Sequence, residues 1–494
     1  MGSEKTISSN KQTFWLAFGR ILALFFSMLI PLVLTRILNK DEYGFYSQFN
    51  TVIYFLSSVF SFGMFHNLFY FYPIAKEIEK KPIIIQTFLF LLLASLFSAL
   101  VIFIPQLNSI FIGNDLLQSF KWTIFLLTII LVVTDIMTPL YIVKRDLNVS
   151  KWFPTVQIAV KVIFIFSLFA IVPSINSLVL AIVLSSILVL IIILVYINNT
   201  LRRLPKGPLF NTKMAKKQLI YNLPMLWASG FNSLSQKFDK IITISFLSAS
   251  SYATYSIAFF GVPGIQQIYD SISQVAIVDM TKKFDLGDKK SALVIYKNMV
   301  VKTLSFSVPI IMIVAFFAQK IITILFTEKY RDATPLFQMY LISFVFVMLG
   351  AGIILRASDN TKYIKNALIY SSIITVPITY FLVKYYGIYG GMTGALISII
   401  LPKLYMIRKE VEIMDTGILN FLPWKKIALI FIVSSFCIIP LIVYNSFFKI
   451  ESIFLAIILS IIYLLIVSYI EIRMNIFIMD RAAIDIILKK YLKI

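Results

Sequence analysis

The chain has one cysteine, Cys437, and one histidine, His66, in 494 residues. That scarcity excludes a disulfide framework and any metal centre built from the usual His and Cys ligands. Cys437 lies inside an apolar run and reads as a small hydrophobe, while His66, beside Asn67 in FGMFHNLFYF, reads as hydrogen-bonded structure. Charge is scarce too, at 14% of residues against about 25% in a soluble domain. Acidic residues are scarcer still, 23 against 45 Lys and Arg. No GxxxxGK[ST] loop is present, so the chain does not itself hydrolyse ATP. No polar stretch is long enough to fold into a nucleotide-sugar domain. The opening MGSEKTISSNKQ lacks a cleavable signal pattern, so the first apolar span is expected to stay in the protein.

What fills the chain is hydrocarbon. Hydrophobic residues make up 59% and the mean hydropathy is +0.90. Such a chain would expose too much apolar surface to water, and in lipid only helices or closed barrels satisfy the backbone. Barrel strands alternate apolar and polar over about ten residues. Here the apolar runs are continuous and about twenty long, the helical signature. The sequence predicts an all-α polytopic membrane protein with about fourteen transmembrane helices. They fall near 13–35, 46–73, 82–104, 120–142, 153–172, 176–197, 218–246, 252–278, 298–319, 334–355, 364–383, 387–407, 427–446 and 452–470. The implied organisation is an N-terminal six-helix lobe over 1–200, a basic linker over 201–217, and a second six-helix lobe over 218–410. An additional helix pair follows over 411–472, then an amphipathic tail over 473–494 that sets Phe477, Ile484, Ile487 and Tyr491 on one stripe. Such a tail suits a membrane surface.

The net charge of +22 would suggest nucleic acid in a soluble protein. Here the loops explain it without such a partner. With the N-terminus in the cytoplasm, about 32 of the 45 Lys and Arg fall on the cytoplasmic side. KEIEKK, LRRLPKGPLFNTKMAKK and TKKFDLGDKK all lie there, whereas PQLNSIFIGNDLLQSF and VPSINS outside carry no Lys or Arg. Both termini are therefore expected inside.

Two short segments recur. LNKDEYGFYS (38–47) resembles LSASSYATYS (247–256), and RDLNVSKW (145–152) resembles RASDNTKY (356–363). The shared offset of about 210 residues spans six helices, so both halves face the same way, the pattern of parallel-repeat transporters with a site between two lobes.

A basic residue at mid-bilayer costs about 2.5–3.5 kcal/mol and needs a partner or a wet cavity. Arg20 sits in WLAFGRILALFFSMLIPLVL on a stripe with Thr13, Ala23, Ser27, Pro31 and Thr35, opposite Leu22, Phe25, Phe26 and Leu29. The stripe points to an interior, the competing reading being that Arg20 snorkels to the headgroups. In the seventh span Asn222, Ser229, Ser233, Gln236 and Lys240 recur at helical spacing, flanked by Lys237 and Asp239. Lys161 interrupts VQIAVKVIFIFSLFA and requires an anion or a cavity. Asp135, Asp239 and Asp270 either pair with these cations or take up a coupling proton. Gln266, Gln267, Asp270, Ser273 and Gln274 give the eighth span a surface suited to sugar hydroxyls. The candidate substrate cations are therefore Arg20, Lys161, Lys237 and Lys240. No cofactor or metal is expected.

TRILNKDEYGFYS (35–47) resembles a signature of the polysaccharide-export, O-antigen-type flippases of the multidrug/oligosaccharidyl-lipid/polysaccharide superfamily. So does NLPMLWASGFNSLSQKFDKIITISFLSASSYATYSIAFFGVP, with ILFTEKYRDATPLFQMYLIS and YYGIYGGMTGALIS following in the expected order. The resemblance covers about residues 10–410. It implies two pseudo-symmetric six-helix lobes, an extra C-terminal pair and alternating access in a bacterial cytoplasmic membrane. The implied substrate is an undecaprenyl-diphosphate-linked oligosaccharide, met by membrane lipids and by glycosyltransferases or a polymerase of the same pathway. It also places Arg20 in a cationic cavity. The alternatives are a cation-coupled multidrug exporter, which would want an anionic cavity, and a membrane polymerase or glycosyltransferase, which would want a large catalytic outer loop.

Overall fold

A computed structural model describes residues 9–60, 66–112, 115–262 and 264–476; within these, side chains are described except at 9–18, 20–21, 60, 66, 109–110, 224–229, 231–232 and 234–236. The tail stripe thus lies outside the described residues, as does the side chain of His66. Every regular element among the described residues is helical, and nine helices are long and apolar enough to cross a membrane.

The chain forms two compact units. The first holds Met1–Ser256 with Ile374–Gly394. Its main helices are α1 (Ser9–Ile37), α2 (Lys40–Phe60), α3 (Glu77–Leu100), α4 (Lys121–Thr134), α5 (Leu147–Ile171), α6 (Ile175–Arg203), α7 (Thr212–Phe246) and α8 (Ala249–Ala258). Polar caps in the loops start several of them. Asp146 Oδ1 accepts from Val149 N (3.2 Å) to begin α5, and Asn211 Oδ1 from Met214 N (3.1 Å) to begin α7. Ser174 and Ser177 exchange side-chain and backbone bonds to begin α6. Each cap satisfies N–H groups that a helix start leaves open. A core that includes Leu68, Ile83, Ile84, Leu140, Tyr141 and Ile193 packs part of this unit together. Helices α1 and α5 approach at Gly19, where a Cβ would stand 2.4 Å from the Lys151 carbonyl.

The second unit holds Ile257–Ile373 with Ala395–Ile494. It contains α9 (Ile265–Asp285), α10 (Lys289–Phe316), α11 (Thr334–Met348), α12 (Ile353–Ala357), most of α13 (Lys362–Ile413), α14 (Trp424–Phe448) and α15 (Ile453–Arg473). At 52 residues, α13 would measure about 78 Å if straight, far beyond a bilayer. Gly387 (φ 54°, ψ −128°) breaks it, at the first residue of the second of the two spans read from the sequence. On α14 and α15, Phe436, Phe447, Phe454 and Leu465 are 73%, 78%, 80% and 65% exposed. Apolar surface on that scale is stable only against hydrocarbon.

The repeat has a structural counterpart. Asp146 N donates to Tyr141 O (3.0 Å) around Arg145 at φ 55°, and Asn360 N donates to Leu355 O (2.8 Å) around Asp359 at φ 57°. These left-handed turns start α5 and α13 alike. The matched turn residues, 145 and 359, lie 214 apart, three further than the arginines aligned by the sequence repeat.

In the second unit Glu410 Oε1 accepts from the backbone N–H groups of Gly352 (3.0 Å), Ile354 (2.9 Å) and Leu355 (3.4 Å), holding the start of α12. The residue is fully buried. Stranding these donors costs about 1–3 kcal/mol each at most, discounted for relaxation. Glu410→Ala is therefore expected to lower stability by about 3 kcal/mol, and Glu410→Gln, which keeps an acceptor, by less. Thermal unfolding in detergent checks the order; equal melting of the two variants and the parent protein would refute it.

Candidate functional site

The first unit gathers three of the charges that the sequence sets inside apolar spans, Lys161 and Lys237, both half-buried, and Asp135, which is exposed. Lys161 on α5 reaches across to α2, where Nζ donates to Asn50 Oδ1 (3.2 Å) and to the Tyr54 hydroxyl (3.3 Å), with the Tyr54 ring centroid 5.5 Å away. Lys237 on α7 reaches the same helix from another side, donating to Ser58 Oγ (3.0 Å) and to the Tyr54 carbonyl (3.4 Å). Tyr54 therefore bridges two ammonium groups, one through its side chain and one through its backbone. Ser233, one turn before Lys237, donates to the Ser58 carbonyl (3.1 Å). Asp135 caps the C-terminal end of α4 and interacts electrostatically with Lys237. The cluster thus holds two cations and one anion, a net positive charge within helices that also face lipid.

A pocket opens beside Lys161 between α2, α4, α5 and α6, with an envelope of about 570 Å³. Polar groups from Asn50, Tyr54, Thr134, Gln157, Lys161 and Ser186 line it, and the remaining wall is largely aliphatic.

Asp239 stands apart from these cations. It is buried and accepts from the Tyr255 hydroxyl at 2.8 Å, with Lys240 attracting it electrostatically. The Tyr255 hydroxyl also lies 3.4 Å from the Gly391 carbonyl. This pairing joins α7, α8 and the middle of α13, just past the Gly387 break, and Lys240 also lies within electrostatic reach of Lys237.

Two seams join α2 to α7 and α8. Beyond the lysine cluster, Asp41 Oδ1 accepts from Ser250 N (3.1 Å), and the Tyr252 hydroxyl bonds Thr51 Oγ1 (2.9 Å). Between them Gly44 meets α8 so closely that a Cβ would stand 1.8 Å from the Ala249 carbonyl. A residue without a side chain is required there.

The other sequence candidates are spread out. Arg20 lies on α1 next to Gly19, and its side chain is outside the described residues, as are those of Ser229 and Gln236. Ser27 bonds its own helix at the Leu24 carbonyl (2.7 Å). Asn222 is buried on α7. In the second unit Gln266 donates to Asp270 Oδ1 (2.9 Å), and Gln267 Oε1 accepts from Gly264 N (3.0 Å) to cap its own helix. Gln274 is exposed. Tyr54, Asn50, Ser58, Asp41 and Gly44 were not singled out in the sequence. Each sits on α2, whose apolar and aromatic run hides its polar register.

The profile of a family described as polysaccharide biosynthesis protein matches residues 33–335. No curated protein matches the chain. Among solved structures, the lipid II flippase MurJ in an inward closed conformation is similar over 95% of this chain and 100% of its own, with a TM-score of 0.72 and 19% identity. An inward-facing multidrug resistance transporter of the MATE family and MOP superfamily is similar over 82% of this chain and 98% of its own (TM-score 0.60, 12% identity). A further MOP-superfamily transporter, from Pyrococcus furiosus and described as having a binding pocket of reverse polarity, is similar over 82% and 95% (TM-score 0.52, 12% identity). At these identities the likeness is one of fold: this multi-pass chain folds as MOP-superfamily transporters do.

Proposed function

The chain belongs to the polysaccharide biosynthesis protein family, and from that premise we propose that it is a flippase for an undecaprenyl-diphosphate-linked oligosaccharide. It carries the repeat unit from the cytoplasmic to the outer leaflet of a bacterial cytoplasmic membrane by alternating access. The enzymes that assemble the unit deliver it, and a polymerase on the far side receives it.

The observation that carries this reading is the pair of ammonium groups around Tyr54, with one carboxylate in electrostatic reach. A diphosphate cannot enter hydrocarbon unaided, because burying uncompensated charge costs many kcal/mol. Ammonium donors in a partly dry cavity replace its hydration, and charge-assisted bonds to phosphate are the strong ones. The prenyl tail needs no carrier and stays in the lipid. Arg20, on the inner part of α1, completes the cationic set together with Lys240. An exporter of organic cations would need the opposite sign of charge.

Proteoliposomes loaded with a fluorescent undecaprenyl-diphosphate oligosaccharide test the function. The purified protein is expected to expose the label to an impermeant quencher at least about tenfold faster than empty vesicles do. Absence of flipping, together with uptake of cationic dyes by the same vesicles, would overturn the proposal.

A further inference from the structure

Glu471 has no cation to answer it. It lies on α15, which packs with α10 and α14 into a three-helix seam of the second unit, and it is 2% exposed. A core of Ile313, Val433, Leu441, Tyr463 and Val467 joins the three helices. Basic residues flanking the seam are turned elsewhere. Arg473, two residues on, bonds the Tyr469 hydroxyl (3.1 Å), and Lys426 on α14 donates to the Ile476 carbonyl (3.4 Å). Lys302 on α10 is exposed. The titratable groups within electrostatic reach of Glu471 are Cys437 and Tyr463, neither of them a cation. Glu471 forms no ion pair among the described residues. An ionised carboxyl cannot stay in such a seam without a positive charge to answer it.

Oxygen atoms around the carboxyl are equally unanswered. Ser305 stands across from it on α10, close enough to interact. Ser434 lies on α14, where its carbonyl accepts from the Tyr463 hydroxyl (3.1 Å) and so holds α15 alongside. Both serines are buried. Glu471 Oε1, Ser305 Oγ and Ser434 Oγ make no hydrogen bond among the described residues. A further acceptor follows from the sequence of α10. Pro309 has no N–H to give the Ser305 carbonyl four residues earlier, so that oxygen loses its helical donor. The seam therefore gathers a single negative charge, two hydroxyl oxygens and one released carbonyl.

We propose that this seam binds a small monovalent metal cation of the sodium class, held by Glu471, Ser305 and Ser434. Its charge equals the one that needs an answer. A divalent ion would leave surplus positive charge, and calcium takes more oxygens than are gathered here. A proton would neutralise the carboxyl but leave the serine oxygens and the released carbonyl without a partner. Carbonyls freed from their helix are groups with which transporters hold sodium. The site lies within the second unit and uses no residue of the proposed substrate site. The proposal does not depend on which substrate the protein transports.

The test uses the full-length protein in detergent, with sodium exchanged for choline at constant chloride and fixed alkaline pH. Sodium is expected to raise the melting temperature of the parent protein saturably, on the order of 2 °C. Glu471→Gln is expected to be flat in the same exchange. In choline it should melt no lower than the parent protein, since it loses only an unanswered charge. Ser434→Ala keeps the carboxylate and removes one oxygen, and should need several-fold more sodium for the same shift. Glu451→Gln, which removes an exposed carboxylate from the loop between α14 and α15, should respond as the parent does. A parent protein indifferent to sodium would overturn the site, including one that is stabilised by acid alone. So would an undiminished sodium response in Glu471→Gln.

Discussion

Gly44→Val is expected to abolish transport while leaving the protein inserted and folded. Any Cβ at this position would fall 1.8 Å from the Ala249 carbonyl, and a backbone oxygen cannot swing aside as a side chain can. Helices α2 and α8 must then part, taking with them the Asp41 bond to Ser250 N and the Tyr252 bond to Thr51. Overpacking of this kind costs about 1–3 kcal/mol, which lowers the population of the closed seam roughly 5- to 150-fold. In the inferred orientation the seam lies at the outer ends of these helices. A carrier that cannot shut its outer side leaks or stalls, since alternating access needs each side closed in turn. With Cys437→Ala removing the native thiol, Thr51→Cys reports the seam through labelling by an impermeant maleimide. Gly44→Val should raise that labelling at least about tenfold and Gly44→Ala by less. Parental labelling and parental flipping in Gly44→Val would show that the close approach has no part in the cycle.

The two recurring segments that suggested an internal repeat prove to face one another along this seam. Asp41 and Ser250 occupy equivalent positions of LNKDEYGFYS and LSASSYATYS and bond to each other. Such meeting of equivalents is what a pseudo-two-fold arrangement produces. Helix class was legible because apolar runs of span length have few solutions in lipid. Lys161 and Lys237 were legible because a charge is conspicuous in such a run. Their bridge was not, since Tyr54 stands among Phe, Ile and Leu, and a tyrosine there reads as part of an interfacial belt. Asp239 illustrates the converse. Its spacing put it beside the lysine stripe, yet the Tyr255 hydroxyl 2.8 Å away comes from the next helix, and no period within α7 announces it. Gln267 was equally legible as a polar surface residue, but its side chain turns back to accept from Gly264 N, the N-cap residue at φ 91° where α9 begins.

Lys237→Ala is expected to reduce flipping by about one to two orders of magnitude. One hydrogen bond to a charged group contributes about 1.5–3 kcal/mol, or roughly 10- to 150-fold in rate when the bond forms as the diphosphate enters the cavity. The same substitution deprives Asp135 of its cation, so a loss of activity could reflect a stranded carboxylate rather than a missing phosphate ligand. Lys237→Ala with Asp135→Asn separates the two. If the lysine acts only by neutralising Asp135, the double variant recovers both melting temperature and flipping. If it meets the substrate, the double variant recovers the melting temperature alone, and Lys237→Arg retains most of the activity because a guanidinium also bonds phosphate. Arg20→Ala provides the parallel case without a known carboxylate in the argument: glycan display at the cell surface should be lost at unchanged expression. Recovery of flipping in the Lys237 and Asp135 double variant, with normal display in Arg20→Ala, would leave the positive cluster as internal structure and remove the physical basis for a phosphate-bearing cargo.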